Sequence, residues 1–249
     1  MTRSRYLENE AVHISANRVL GTDSVHKFGA VPAMSQGVTG TIWDKNDTPY
    51  PWSAFDTPGI LTVQTTTANG SASTADSGKS ITIIGLDENF LPTQETITVS
   101  GSTGTGTQTF ARVYRAYTSD TNAAQFRVSR DGTEVLRVSI GKSQTLMAIY
   151  TVPAGKVGFL IKGTASVQDG ADATVDMFVR YSGSGAFRIG HSLEVSGTGG
   201  QYLYEFAAPP RLPEKTDIDI EATVRSNNAR ITAAFDIILL DKNLAGKAT

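Results

Sequence analysis

From Asp217 to Arg225 the chain reads Asp-Ile-Asp-Ile-Glu-Ala-Thr-Val-Arg, with an apolar side chain at every second position up to Val224. Successive side chains of a β-strand point to opposite sides, so this period of two puts Ile218, Ile220, Ala222 and Val224 on one face. Asp217, Asp219 and Glu221 fall on the other face. Alternation alone assigns that face to water, and a metal site built from the three acids is the competing reading. Asn227-Asn228 follows, and Ile231 to Leu240 resumes the apolar pattern. That predicts a hairpin, because Asn tolerates the positive φ such turns require.

Other stretches repeat this logic. Gln125–Arg130 and Glu134–Ile140 flank Asp131-Gly132, a strong hairpin signal. Leu146–Val152 stops at Pro153-Ala154-Gly155, and Val157–Val167 restarts. Val175, Met177, Val179 and Tyr181 alternate with Asp176, Phe178 and Arg180. Ser80–Leu86, Glu95–Val99 and Thr109–Tyr117 also read as strands, while Thr65–Lys79 and Ser100–Thr107 read as exposed loops. Many short strands punctuated by Gly, Pro and Asn predict an all-β, antiparallel fold of β-sandwich or jelly-roll type. At 249 residues one large β domain or two β subdomains are both open. The polar run Thr118–Ala123 is the expected boundary, giving a docking arm (1–24), an irregular aromatic region with a first β region (25–118) and an antiparallel β-sandwich (119–249).

The first 59 residues behave differently. Tyr6–Leu20 could form one short helix stopped by Gly21, and Pro32, Pro49, Pro51 and Pro58 then interrupt regular structure. Long irregular segments are uncommon inside compact domains, so an extended N-terminal arm lying on a neighbouring subunit is expected, against a loop covering its own sandwich. Trp43, Tyr50, Trp52 and Phe55 crowd one proline-rich stretch. As loop aromatics they would anchor an interface, plug the open end of the sandwich, or stack on sugar rings. With Arg3, Arg5, Tyr6 and Leu7 they form the expected assembly surface.

Reactive chemistry finds little footing. There is no cysteine, which excludes disulfides, thiolate nucleophiles and Cys-ligated zinc. A net charge of −2 with scattered basic residues points away from nucleic acid and from anionic membranes. The N-terminus lacks the apolar core of a secretory signal, and no apolar run is long enough to span a bilayer. Gly101-Ser102-Thr103-Gly104-Thr105-Gly106 has the wrong spacing for a phosphate loop and precedes a predicted strand. Ala154-Gly155-Lys156 lacks the Ser or Thr that a P-loop places after its lysine. His13, His26 and His191 show no metal-ligand spacing, and no G-x-S-x-G elbow occurs. Asp44-Lys45-Asn46-Asp47 has calcium-loop flavour without the glycine and distal glutamate of an EF-hand. No solenoid period or heptad run appears, which argues against an elongated shaft.

Several segments, taken in order, resemble a family of tailed-phage virion structural proteins common in aquatic phages. They are Val25-His26-Lys27-Phe28-Gly29, Gly85–Phe90, Glu95–Val99, Arg112–Tyr117, Gln144–Lys156, Gly185-Ala186-Phe187-Arg188 and Pro213–Ile218. The resemblance implies a place in a virion assembled in a bacterial cytoplasm, not a reaction, and brings no catalytic residue, metal or cofactor. It implies a homo-oligomer, a trimer being favoured. The partners would be other virion proteins such as the major capsid protein or tail proteins. A capsid decoration or cement protein is the first expectation. A tail connector, adaptor or fibre-base protein and a host-surface carbohydrate-binding module are the alternatives.

Overall fold

The computed structural model describes residues 10–16, 18–45, 47–168, 170–197 and 200–245. Among these the chain is all-β and antiparallel, with one short helix, α1 (Glu10–Ser15), and a 3-10 turn at Trp52–Phe55. The strands begin with β1 (Thr22–Met34), β2 (Thr39–Thr41), β3 (Thr62–Thr66), β4 (Ser80–Leu86), β5 (Pro92–Thr98) and β6 (Thr103–Thr105). Next come β7 (Arg112–Thr118), β8 (Gln125–Arg130), β9 (Thr133–Val138), β10 (Ile149–Thr151), β11 (Lys156–Val167) and β12 (Asp172–Arg180). Then follow β13 (Arg188–Ser196), β14 (Gln201–Glu205), β15 (Arg211–Leu212), β16 (Asp217–Ser226) and β17 (Ala229–Asp241).

These strands form four small antiparallel sheets, by count a four-bladed, propeller-like set rather than one plain sandwich. The first sheet runs β1-β17-β11-β14, with β15 placed beside β14 along the same edge of β11. The second runs β10-β16-β12-β13, with β2 continuing the line of β10 along β16. The third is β6-β3-β8-β9 and the fourth β5-β4-β7. Core membership joins them in pairs. Leu160, Phe235 and Ile237 of the first sheet share one apolar cluster with Val175, Ile218 and Ile220 of the second. Val63, Phe126 and Leu136 of the third share another with Ile81, Ile97 and Val113 of the fourth. Burying each such side chain contributes roughly 1.5–3 kcal/mol relative to leaving it exposed.

Alternation explains the strands that the sequence announces. In β12, Val175, Met177 and Val179 pair with Ala222, Ile220 and Ile218 of β16, so two alternating strands present one apolar face. Hydroxyl side chains on outward faces bond across strands: Thr82 to Thr96 at 2.9 Å, Thr39 to Thr223 at 2.7 Å and Ser166 to Thr232 at 2.6 Å. Asp131 and Gly132 both take positive φ, 47° and 80°, as the β8–β9 hairpin turn demands.

Four expectations change. Residues 22–24, expected as the end of the docking arm, and residues 25–34, expected to be irregular, together form β1, which pairs along β17 in the chain's own first sheet. Of the expected helix, residues 10–15 are helical; Arg3, Arg5, Tyr6 and Leu7 lie outside the described residues. The expected loops at Thr65–Lys79 and Ser100–Thr107 contain the end of β3 and all of β6. A boundary at 118/119 would cut β8 from its ladder partner β3. The polar composition there reflects a pinned loop: Asp76 accepts the N–H groups of Ala123 (3.1 Å) and Ala124 (2.6 Å), and Asn122 is buried.

Candidate functional site

The outer face of β16 is where the sequence and the structure disagree most usefully. Asp217 and Asp219, expected in water, are each 2% exposed. The segment between β2 and β3, together with Arg112 of β7, covers them. Arg112 grips Asp217 through Nε (2.8 Å) and a terminal nitrogen (3.1 Å), and Arg180 of β12 does so at 3.0 and 2.7 Å. The Thr151 hydroxyl donates a further bond of 2.7 Å to the same carboxylate. Two guanidiniums from different sheets clamp one acid: Arg112 fork-to-fork across both oxygens, Arg180 with two nitrogens on Oδ2 alone. This lattice of donors leaves no coordination site for a metal on Asp217.

Asp219 sits one step along the same face. Its Oδ2 accepts the Trp52 indole N–H at 2.7 Å and the Thr41 hydroxyl at 3.2 Å, while Oδ1 has no partner among the described residues. Burial, the largest effect, pushes this carboxyl up to about 7, opposed by the Trp52 bond and helped by Glu221. Glu221 is itself raised, by burial and then by Asp176. The three acids therefore face different partners instead of converging on one ion.

Trp43, Tyr50, Trp52 and Phe55 are all buried in the second core. Tyr50 lies edge-on to Trp43 (5.4 Å between centroids) and to Trp52 (4.9 Å), and Trp52 reaches Phe187 at 5.3 Å. Arg112 and Arg180 lie over the Trp52 ring at 5.8 and 5.5 Å. The exposed assembly surface expected from these aromatics is thus corrected: they pack inside the chain's own fold, the plugging alternative. A small core of aromatic edges and guanidinium faces explains why a proline-rich stretch carries both tryptophans.

The remaining candidates resolve individually. Asp44 turns inward, accepting the Leu146 N–H and the Ser139 hydroxyl (3.0 Å), and burial pushes it up to about 7. Asp47 instead holds Ser35 through its N–H (2.7 Å) and hydroxyl (2.6 Å), so the calcium-like run splits between two tasks. Gly104 lies in β6, where a Cβ would press on Ile97 and Thr98, and a Cβ on Gly106 would meet Glu95, whereas Gly101 takes a positive φ of 64° in open space; the run serves packing and a turn. Lys156 pairs with Asp241 (2.7 Å) and Asp23 (3.3 Å), the ordinary role of a surface lysine. His26 bonds Asp236, and His191 meets the Tyr204 ring at a tilt and the Phe206 ring edge-on, far from His26 in the strand order.

Sequence reading missed the clamp because Arg112 and Arg180 look like ordinary outward positions of alternating strands. Beside the clamp lies a cleft of about 260 Å³ bordered by Phe90, Arg180 and Lys215. Phe90 and Lys215 both hold positive φ, 63° and 60°, with the Lys215 ammonium 5.1 Å from the Phe90 ring centre.

The class defined so far is an all-β antiparallel protein whose buried polar centre joins its sheets. No family model matches the chain, and no curated protein matches it. Among solved structures it is similar to that of the infectious bursal disease virus Gt strain, at 9% identity over 88% of this chain and 72% of that one, with a TM-score of 0.26. It is also similar to the crystal structure of the STIV MCP, at 8% identity over 90% of this chain and 100% of that one, with a TM-score of 0.24. TM-scores this low leave any fold assignment to rest on the strand order itself. Among the described residues no helix is long and apolar enough to cross a membrane.

Proposed function

We propose that this chain is a non-enzymatic structural component of a virion, built on a jelly roll, and specifically a decoration protein of a tailed-phage head. The strand order carries the reading. Let β2 and β10 count as one strand position along β16, and β14 and β15 as one along β11. The first sheet then holds the first, eighth, third and sixth positions of the chain, and the second sheet the second, seventh, fourth and fifth. That winding is two interlocked Greek keys, the jelly roll used by capsid and lectin domains and by cupins. The third and fourth sheets are an insertion within the second position, between β2 and β10.

Fold alone does not select a function. The tailed-phage resemblance selects the virion from among jelly-roll uses. The buried acids support a scaffold over an enzyme, since Asp217 and Asp219 are occupied in joining β16 to the insertion. The glycan-binding alternative loses its surface with the burial of Trp43 and Trp52. Purified particles test the reading through the amount of this chain relative to the shell protein. Stoichiometry comparable to the shell protein is expected; a few copies per particle would move it to the tail, and absence from particles would refute the virion role.

A further inference from the structure

β13 and β14 are consecutive in the chain and border the two facing sheets, β13 ending the second and β14 the first. Among the described residues no strand pairs with the outer edge of either. An unpaired edge presents a row of free main-chain donors and acceptors to any chain that can match it. Large apolar side chains stand exposed on these strands: Ile189 at 61%, Leu203 at 56% and Tyr202 at 38%.

The direction of the free groups on β14 follows from two bonds. Val167 N–H donates to the Gly200 carbonyl and Phe206 N–H to the Ile161 carbonyl, each at 3.0 Å. Main-chain direction alternates along a strand, so Tyr202 and Tyr204 bond inward to β11. Gln201, Leu203 and Glu205 turn their N–H and C=O groups outward. The strand reads Gln-Tyr-Leu-Tyr-Glu, nearly the same from either end. Antiparallel pairing with itself about a two-fold axis at Leu203 sets Gln201 against the partner's Glu205, an amide donor facing a carboxylate. It sets Tyr202 against the partner's Tyr204 and Leu203 against the partner's Leu203. Shifting the two-fold axis to Tyr204 would instead set Glu205 against an apolar leucine. One register therefore satisfies every cross-strand pair, as an isologous contact requires.

We infer that a second copy of this chain docks on β14 through this two-fold, fusing two first sheets into one sheet that runs through both molecules. The contact does not depend on the virion reading, and a trimer could carry it only as a link between trimers.

The absence of cysteine makes a clean test possible. In a hydrogen-bonded antiparallel pair the two Leu203 Cα atoms lie about 5.5 Å apart, inside the roughly 4.4–6.8 Å span of disulfides. Full-length Leu203→Cys should convert under mild oxidation to a covalent dimer on a non-reducing gel, while Ile189→Cys, as exposed but on β13, should give no covalent dimer there. Wild-type protein should sediment with twice the chain mass. Leu203→Pro should halve that mass with an unchanged circular dichroism spectrum, because it removes an outward N–H and leaves the β11 ladder whole. A monomeric wild type, an assembly that Leu203→Pro leaves intact, or equal cross-linking through Ile189→Cys would each overturn the contact. A dimer that never enters particles would refute the virion role and leave this contact standing.

Discussion

Asp217 and Asp219 stand two positions apart on one face of one strand, yet their surroundings set them different tasks. Asp217 balances two guanidiniums in a buried setting, so removing it strands both charges. Asp217→Ala is expected to cost about 3–5 kcal/mol, read as a lower urea midpoint at unchanged slope. Asp219 acts through pH instead. Burial raises it and Asp44 from 3.8 to about 7, so the folded chain keeps protons that the unfolded chain has released in that interval. Stability therefore falls as pH rises through that window. Lys27 works the other way: burial first, then Arg115, lowers it from 10.5 to about 7. The unfolded chain there holds the extra proton, so stability climbs as pH rises above about 7. Urea midpoints at about pH 5, 7 and 9 should show a minimum at 7. Asp219→Asn should raise that minimum and flatten the acid limb, and Lys27→Met should flatten the alkaline one. A midpoint that rises steadily from pH 5 to 7 would sink the assignment.

The strands differ in how openly the sequence declares them. β16 and β17 are legible because their inward positions are all apolar. β1 is as long as β17 yet was invisible, since its inward positions include Lys27 and Gly29 beside Val25 and Val31. Each exception has a local cause that only the assembled fold supplies. The Lys27 ammonium donates to the Tyr114 carbonyl and lies 5.5 Å from that tyrosine's ring centre. A Cβ on Gly29 would collide with the Ile42 carbonyl and the Ala148 N–H, main-chain atoms that cannot step aside. Gly29→Ala is accordingly expected to destabilise by about 1–3 kcal/mol, with hydrogen exchange rising first along β1. Substitution to alanine at Gly37, where nothing crowds the Cβ, supplies the contrast in space, although its φ of 79° adds backbone strain. The face of β16 shows the complementary failure. Period two located its acids correctly and could not say that a distant insertion would cover them.

That insertion is also why the division of the chain was hidden: alternation is local, whereas β2 and β10 fill one strand position from opposite ends of a long excursion. Two apolar cores result, and they are not independent. Along β10, Ile149 packs into the second core and Tyr150 into the first, so one short strand is shared by both. Tyr114 packs against both cores, and its ring meets Tyr150 at 4.9 Å. The clamp at Asp217 and the Trp52 bond to Asp219 tie the insertion to β16. Coupling of this kind predicts one cooperative melt for the wild type, with equal calorimetric and van't Hoff enthalpies. Trp52→Ala removes both the ring from the second core and the indole donor from Asp219. It is expected to cost about 3–5 kcal/mol and, more tellingly, to split the melt into two transitions as the third and fourth sheets loosen before the first and second. Phe126→Ala, which empties a comparable volume in the second core away from β16, should lower the melting temperature while keeping the shared contacts. If both variants melt in a single step, or both in two, the seam at β16 is not what makes the molecule unfold as one.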